Sequence, residues 1–272
     1  MTAAPPIPDG TARRLRWATV GSGLLALLAL AIPKVGLPAA VVVLITLAAG
    51  ALRVRSLRPW AIGVGVVTLV AFIRFAIVEA VPGVVQGGNM AASNSAVHRL
   101  REIVFAQDVM RQRGFVDPDG DHIGSAALLG ELSGELPLRG VRKLDPPLLA
   151  RGFGPFHDTP AGPAAQAGAY LFLVCLPGRN GAFTANPKAA LDDEAAERRF
   201  LAYAWPMGPR GPRQAYAVDQ HEAIFVSENG SGAEPTWAGP FHAPTCDALT
   251  SGGGFRPWRG KKPRATLPGD VP

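Results

Sequence analysis

The sequence is poor in charge, in cysteine and in catalytic signatures. Charged residues are 18% of its 272 positions. That is low for a chain lying wholly in water and fits one partly held in lipid. There is no G-x-S-x-G turn and no H-E-x-x-H pair, and the five histidines, His98, His122, His157, His221 and His242, are scattered. The commonest hydrolase and metalloprotease arrangements are therefore excluded, and the chain reads as non-enzymatic. The net charge of +6 comes largely from the flanks of apolar runs and from the C-terminal tail. Neither place interleaves aromatics with arginine as a nucleic-acid stacking surface does. The only cysteines are Cys175 and Cys246. They can bridge if that part of the chain meets an oxidising compartment, or stand as two separate thiols.

What is present is uneven. The first third holds three apolar runs, about 17–32, 35–52 and 60–81, after a Pro-rich leader over residues 1–16 that reads as disordered and cytoplasmic. Each run is close to the roughly 20 residues that a bilayer core requires. Arg13, Arg14 and Arg16 precede the first run, and Arg53, Arg55 and Arg58 separate the second from the third. The positive-inside rule puts both groups in the cytoplasm and everything after Pro82 on the other side. Arg74 and Glu79 of the third run lie within reach of the outer interface. The expected location is a bacterial inner (cytoplasmic) membrane, multi-pass, with the C-terminal domain periplasmic or extracellular.

A soluble domain is expected over residues 83–250. Val97, Leu100, Ile103, Val104, Val109 and Met110 recur at helical spacing, with Arg99, Arg101, Glu102, Gln107 and Asp108 on the other faces. Ser93, Asn94 and Ser95 are good N-cap types for this helix, and Gly114 ends it. Ser125 to Ser133 reads as a short helix, Pro137 to Pro163 as irregular, and Leu191 to Arg199 as a helical turn. Four strand-like runs follow at 169–176, 200–205, 214–218 and 223–227, the last two joined by a hairpin. In the second of them Leu201, Tyr203 and Trp205 alternate with Ala202 and Ala204, so one face is small enough for a helix to approach. The fold class is α+β: three transmembrane helices, then one long helix packed on a small antiparallel β-sheet. Residues 251–272 read as a basic disordered tail.

Two local patterns could carry chemistry. Asp117, Asp119 and Asp121 alternate through Asp117-Pro118-Asp119-Gly120-Asp121-His122-Ile123-Gly124, like the opening of a calcium loop. The twelfth position of such a loop wants an acid, and Leu128 stands there; Glu131 is out of register. The other reading is a turn held by aspartate bonds to its own backbone. Gly154-Pro155-Phe156-His157 recurs as Gly239-Pro240-Phe241-His242, but two histidines are too few ligands for a metal. Calcium is thus the one cofactor the sequence suggests, and no small-molecule substrate is indicated.

The ordered set Asn94 to Ile103, Ala106-Gln107, Asp119-Gly120-Asp121, Tyr170-Leu171-Phe172, Tyr203-Ala204-Trp205-Pro206 and Ala217 to Phe225 resembles the soluble part of type IV pilins and pseudopilins over residues 91–228. More narrowly it is similar to the pilin-like domains of planctomycetes and myxobacteria. The third apolar run opens Arg58-Pro59-Trp60-Ala61, without a prepilin peptidase site. The resemblance therefore implies a pilin-like fold and a cell-envelope location rather than a fibre. It implies a structural or protein-interaction role, accessory to a secretion or type IV pilus-type system, with the lipid bilayer and envelope proteins as partners. The alternative is a membrane-bound sensory or ligand-binding protein with an extracytoplasmic domain.

Overall fold

The structure is a computed structural model and describes residues 69–70, 73–74, 76–149, 152–230 and 236–258. The chain divides into two compact units, Met1–Gly88 and Asn89–Pro272. In the first unit, Ala76–Ala80 form one π-helical stretch, followed by the opening residues of helix α1, Val81–Arg113. Pro82 falls in the first turn of α1, where a missing N–H is tolerated.

Within the second unit, α1 buries Ala96, Val97, Leu100, Ile103, Val104, Ala106, Gln107 and Met110. This is the 3.6-residue spacing of one helical face. Arg111 and Arg113 occupy the last turn, where positive charge suits the helix dipole. Gly114 then takes φ +57°, a left-handed conformation that glycine adopts without strain.

The rest of the unit is built on an antiparallel sheet of eight strands: β1 Phe156–Thr159, β2 Gly162–Ala167, β3 Tyr170–Pro177, β4 Phe183–Thr184, β5 Leu201–Pro206, β6 Ala215–Asp219, β7 Ile224–Ser227 and β8 Arg256–Pro257. The order is β1-β2-β3-β5-β6-β7-β8, with β4 paired to the end of β3. Helix α2, Leu129–Leu132, and helix α3, Asp193–Arg198, sit in the connections. Asp192 caps α3, its side chain accepting from the Ala195 N–H at 3.0 Å.

The sheet is buried on both faces, which is why β3 reads as an unbroken apolar run. Tyr170, Phe172, Val174 and Leu176 of β3 and Ala202 and Ala204 of β5 share one core with Val97, Leu100, Ile103 and Met110 of α1. Leu171, Leu173, Cys175, Leu201, Tyr203 and Trp205 form the other core, covered by Trp237, Cys246, Ala248 and Phe255. The small face of β5 is thus the helix side and the large face lies under the C-terminal segment. A disulfide joins Cys175 to Cys246 across that second core, with Cα atoms 5.7 Å apart. The Trp205 indole N–H donates to the Gly239 carbonyl at 2.9 Å, and the Tyr203 hydroxyl to the Cys246 carbonyl at 3.0 Å.

Several expectations are corrected. No helix among the described residues is long and apolar enough to cross a membrane. A three-helix membrane region, and with it a multi-pass inner-membrane location and a periplasmic or extracellular placement, is therefore not supported. The apolar residues at the end of the 60–81 run pass without a break into α1, whose 33 residues include Gln86, Asn89, Arg99, Arg101, Glu102 and Asp108. Over the described residues, polar and charged side chains recur in α1 from Gln86 onward, which keeps that helix below the apolarity a span requires. The expected cap at Ser93–Ser95 lies inside this continuous helix. The leader, the runs at 17–32 and 35–52, residues 60–68, 71–72 and 75 of the third run, and the tail from 259 to 272 lie outside the described residues.

The sheet also has eight strands, so the expected long helix on a small sheet is replaced by a larger, two-faced structure. β1 and part of β2 arise from the stretch read as irregular. Pro163 sits where β2 pairs with β1 on one side, and its register with β3 begins only at Ala165. A proline is tolerated where one side of a strand makes no ladder bond. Arg256–Pro257, expected in the tail, pairs with β7 at the opposite edge.

Candidate functional site

The loop after α1 is pinned at its neck. The Gly124 N–H donates to the Arg111 carbonyl at 2.8 Å, and the Ser125 N–H to the Val116 carbonyl at 2.7 Å. A Cβ on Gly124 would lie 2.8 Å from the Met110 carbonyl oxygen, so only glycine passes this close to α1. Between the two neck bonds, the aspartates organise the backbone. Asp117 accepts the Gly120 N–H at 2.8 Å and the His122 N–H at 3.0 Å; Asp121 accepts the Ile123 N–H at 2.8 Å. His122 takes φ +69° to make the turn. Desolvation works to raise the Asp117 pKa, but the N–H groups of Gly120 and His122 outweigh it and hold the carboxyl below its ordinary value.

One oxygen from each of Asp117, Asp119 and Asp121 lies within 4.8 Å of the others. Among the described residues these three are the one group of His, Cys, Asp or Glu side chains that could converge on an ion. The two Gly-Pro-Phe-His segments are spent separately. His157 Nε2 is 3.1 Å from Gln166 Oε1, and His242 forms a backbone bridge with Ala238.

Residues just past the neck pack on α3. The Ala126 N–H donates to the Ala196 carbonyl at 3.2 Å, and the Ser125 hydroxyl lies 3.2 Å from Asp193 Oδ1. Arg139 closes this corner. Its guanidinium donates to Asp193, Glu131, the Ser125 hydroxyl and the Ala126 carbonyl at 2.7–2.8 Å. A serine beside an aspartate suggests a nucleophile, but the third member is a guanidinium, which cannot take a proton. Ser125 is also fully buried. The group is a structural clasp.

Two buried groups of this region were not legible as such. Gln107, expected on the polar side of the helix, is fully buried. Its amide bonds both the N–H and the carbonyl of Ala127, at 2.8 and 2.7 Å. Glu197, the next-to-last residue of α3, is 4% exposed, and its Oε1 has no hydrogen-bond partner. Burial pushes its carboxyl above the ordinary range, and the negative charges of Asp121 and then Asp119 push it further, against the attraction of Arg198. No local sequence signal distinguishes Glu197 from Glu194 one turn earlier.

A cleft of 370 Å³ opens elsewhere, lined by Glu228, Asn229, Trp237, Arg256 and glycines 252–254. Its polar side chains are already engaged. Asn229 bonds both backbone groups of Trp237, and Arg256 pairs with Glu228.

No family model, curated protein or solved structure matches this chain. Nothing in those comparisons identifies a pilin-like domain, so the resemblance over residues 91–228 gains no support from them. Apart from Asp119-Gly120-Asp121, which lies in an exposed turn, the ordered motifs that suggested it fall on α1, β3, β5, β6 and β7, each of which gives residues to the core. A long helix against an antiparallel sheet selects such residues on physical grounds alone.

Proposed function

We propose that this protein is a non-enzymatic structural or protein-interaction module, engaged through the apolar surface of its first unit. The observation that carries this reading is a stripe of exposed side chains. Ile77, Val78, Val81, Val84 and Val85 follow one another at helical spacing and are each more than half exposed, Val84 at 76%. Contiguous apolar surface of this kind marks a contact site on a folded protein. The polar clusters of the second unit support the same reading, because Arg139, Glu131, Asp193, Ser125 and Gln107 bond one another or the backbone.

The occupant is a protein offering an apolar helical face of its own. A photo-crosslinking side chain at Val84 of the full chain is expected to give discrete protein adducts, which Val81→Glu removes while the circular dichroism spectrum is unchanged. Absence of protein adducts from a correctly folded chain would overturn the reading.

A further inference from the structure

We propose that Asp117, Asp119, Asp121 and Glu197 together hold one calcium ion, with Glu197 supplying from α3 the acid that the loop lacks at its twelfth position. Two independent observations meet here. The first is the loop. Calcium binds oxygen at about 2.4 Å, so oxygens on opposite sides of one ion are about 4.8 Å apart. The three aspartate oxygens already lie within 4.8 Å of one another. Their backbone bonds leave lone pairs free, since each carboxylate oxygen carries two.

The second observation is Glu197 itself. A buried carboxylate oxygen without a partner is rare in folded proteins and asks for a missing ligand. Glu197 is 96% buried and its Oε1 is unpartnered. The charges acting on it are Asp121, Asp119 and Glu194, against the single cation Arg198. The loop and α3 are held together by the Ala126–Ala196 and Ser125–Asp193 bonds, so this excess of negative charge is built in. An all-oxygen, carboxylate-rich set selects a hard cation over zinc. Glu197 stands outside the 4.8 Å group, and in the proposed site it takes the ion through one bridging water, as one position of a calcium loop often does.

The test is calorimetric titration of calcium chloride into the full chain after removal of metal with a chelator. The parent is expected to bind one calcium and to melt at a higher temperature when it does. Asp119→Asn and the isosteric Glu197→Gln are each expected to weaken binding by about tenfold or more. Glu194→Gln, on the same helix, is expected to leave it unchanged. Failure of the parent to bind at millimolar calcium would overturn the site. Parent-like affinity in Glu197→Gln would overturn the part given to α3. Equally tight magnesium binding would overturn the choice of ion.

Discussion

Tyr170, Tyr203 and Tyr216 are the only tyrosines in the chain, and all three stand in the core. Their hydroxyls are spent on the fold. Tyr170 bonds the Gln214 carbonyl, Tyr216 the Gln214 side chain, and Tyr203 the Cys246 carbonyl while accepting the Leu249 N–H. Burial raises all three above the usual value, Tyr203 to about 12. A raised folded pKa favours the protonated form, so this stability is fully present below about pH 10 and is lost as pH rises through the folded value. At about pH 11 the native protein is expected to show less tyrosinate absorbance than the urea-unfolded chain. Equal absorbance in the two states would mean that the phenols are not held as described. Gln107 makes a related point about legibility. Its amide type put it with the polar faces of the helix, whereas it stands on the buried stripe, four residues after Ile103 and seven after Leu100. Only the nearness of Ala127, twenty positions on, turned it into a buried bond pair.

Among the elements, β3, β5, β6 and β7 were legible because large apolar and β-branched residues alternate or run together within them. β1, β2 and β8 were not, because β1 is polar after Phe156, small residues, glycine and proline fill β2, and β8 is only two residues long; pairing with neighbouring strands supplies what propensity lacks. The short helices α2 and α3 are likewise held by contacts that no local window contains. Arg139 joins them by bonding Glu131 of α2 and Asp193 of α3. Its side chain is 16% exposed and that of Glu131 4%, so the pair is shielded from solvent. Removing the cation strands a buried carboxylate. Arg139→Met is expected to lower unfolding free energy by about 3 kcal/mol, read by urea denaturation. Adding Glu131→Gln to that variant should recover part of the loss, because the stranded charge is then gone. If Arg139→Met is as stable as the parent, the clasp contributes nothing.

For the whole molecule, the decisive feature is that one sheet has two covered faces. The 71-residue separation of Cys175 and Cys246 spans β4, α3, β5, β6 and β7 before the chain returns over the second core. Closing a loop of that length removes unfolded-state entropy worth about 4 kcal/mol in the chain-entropy account. Replacing both cysteines with serine is expected to lower stability by about 2–4 kcal/mol, and reductant should do the same to the parent but not to the variant. Identical urea midpoints with and without reductant would show that the bridge is not part of the folded chain.

By itself the sequence determined the local terms: one apolar face of a long helix, the alternation in β5, the turn chemistry of Asp117 to Gly124, and the glycine that ends α1. Those follow from periodicity and backbone stereochemistry, which act over a few residues. Tertiary structure alone decided that the second sheet face is covered, that Gln107 and Glu197 are interior, and that Arg139 joins α2 to α3. Each of these joins residues distant along the chain, and burial, which gives a charge or an amide its consequence, is a property of what packs around it.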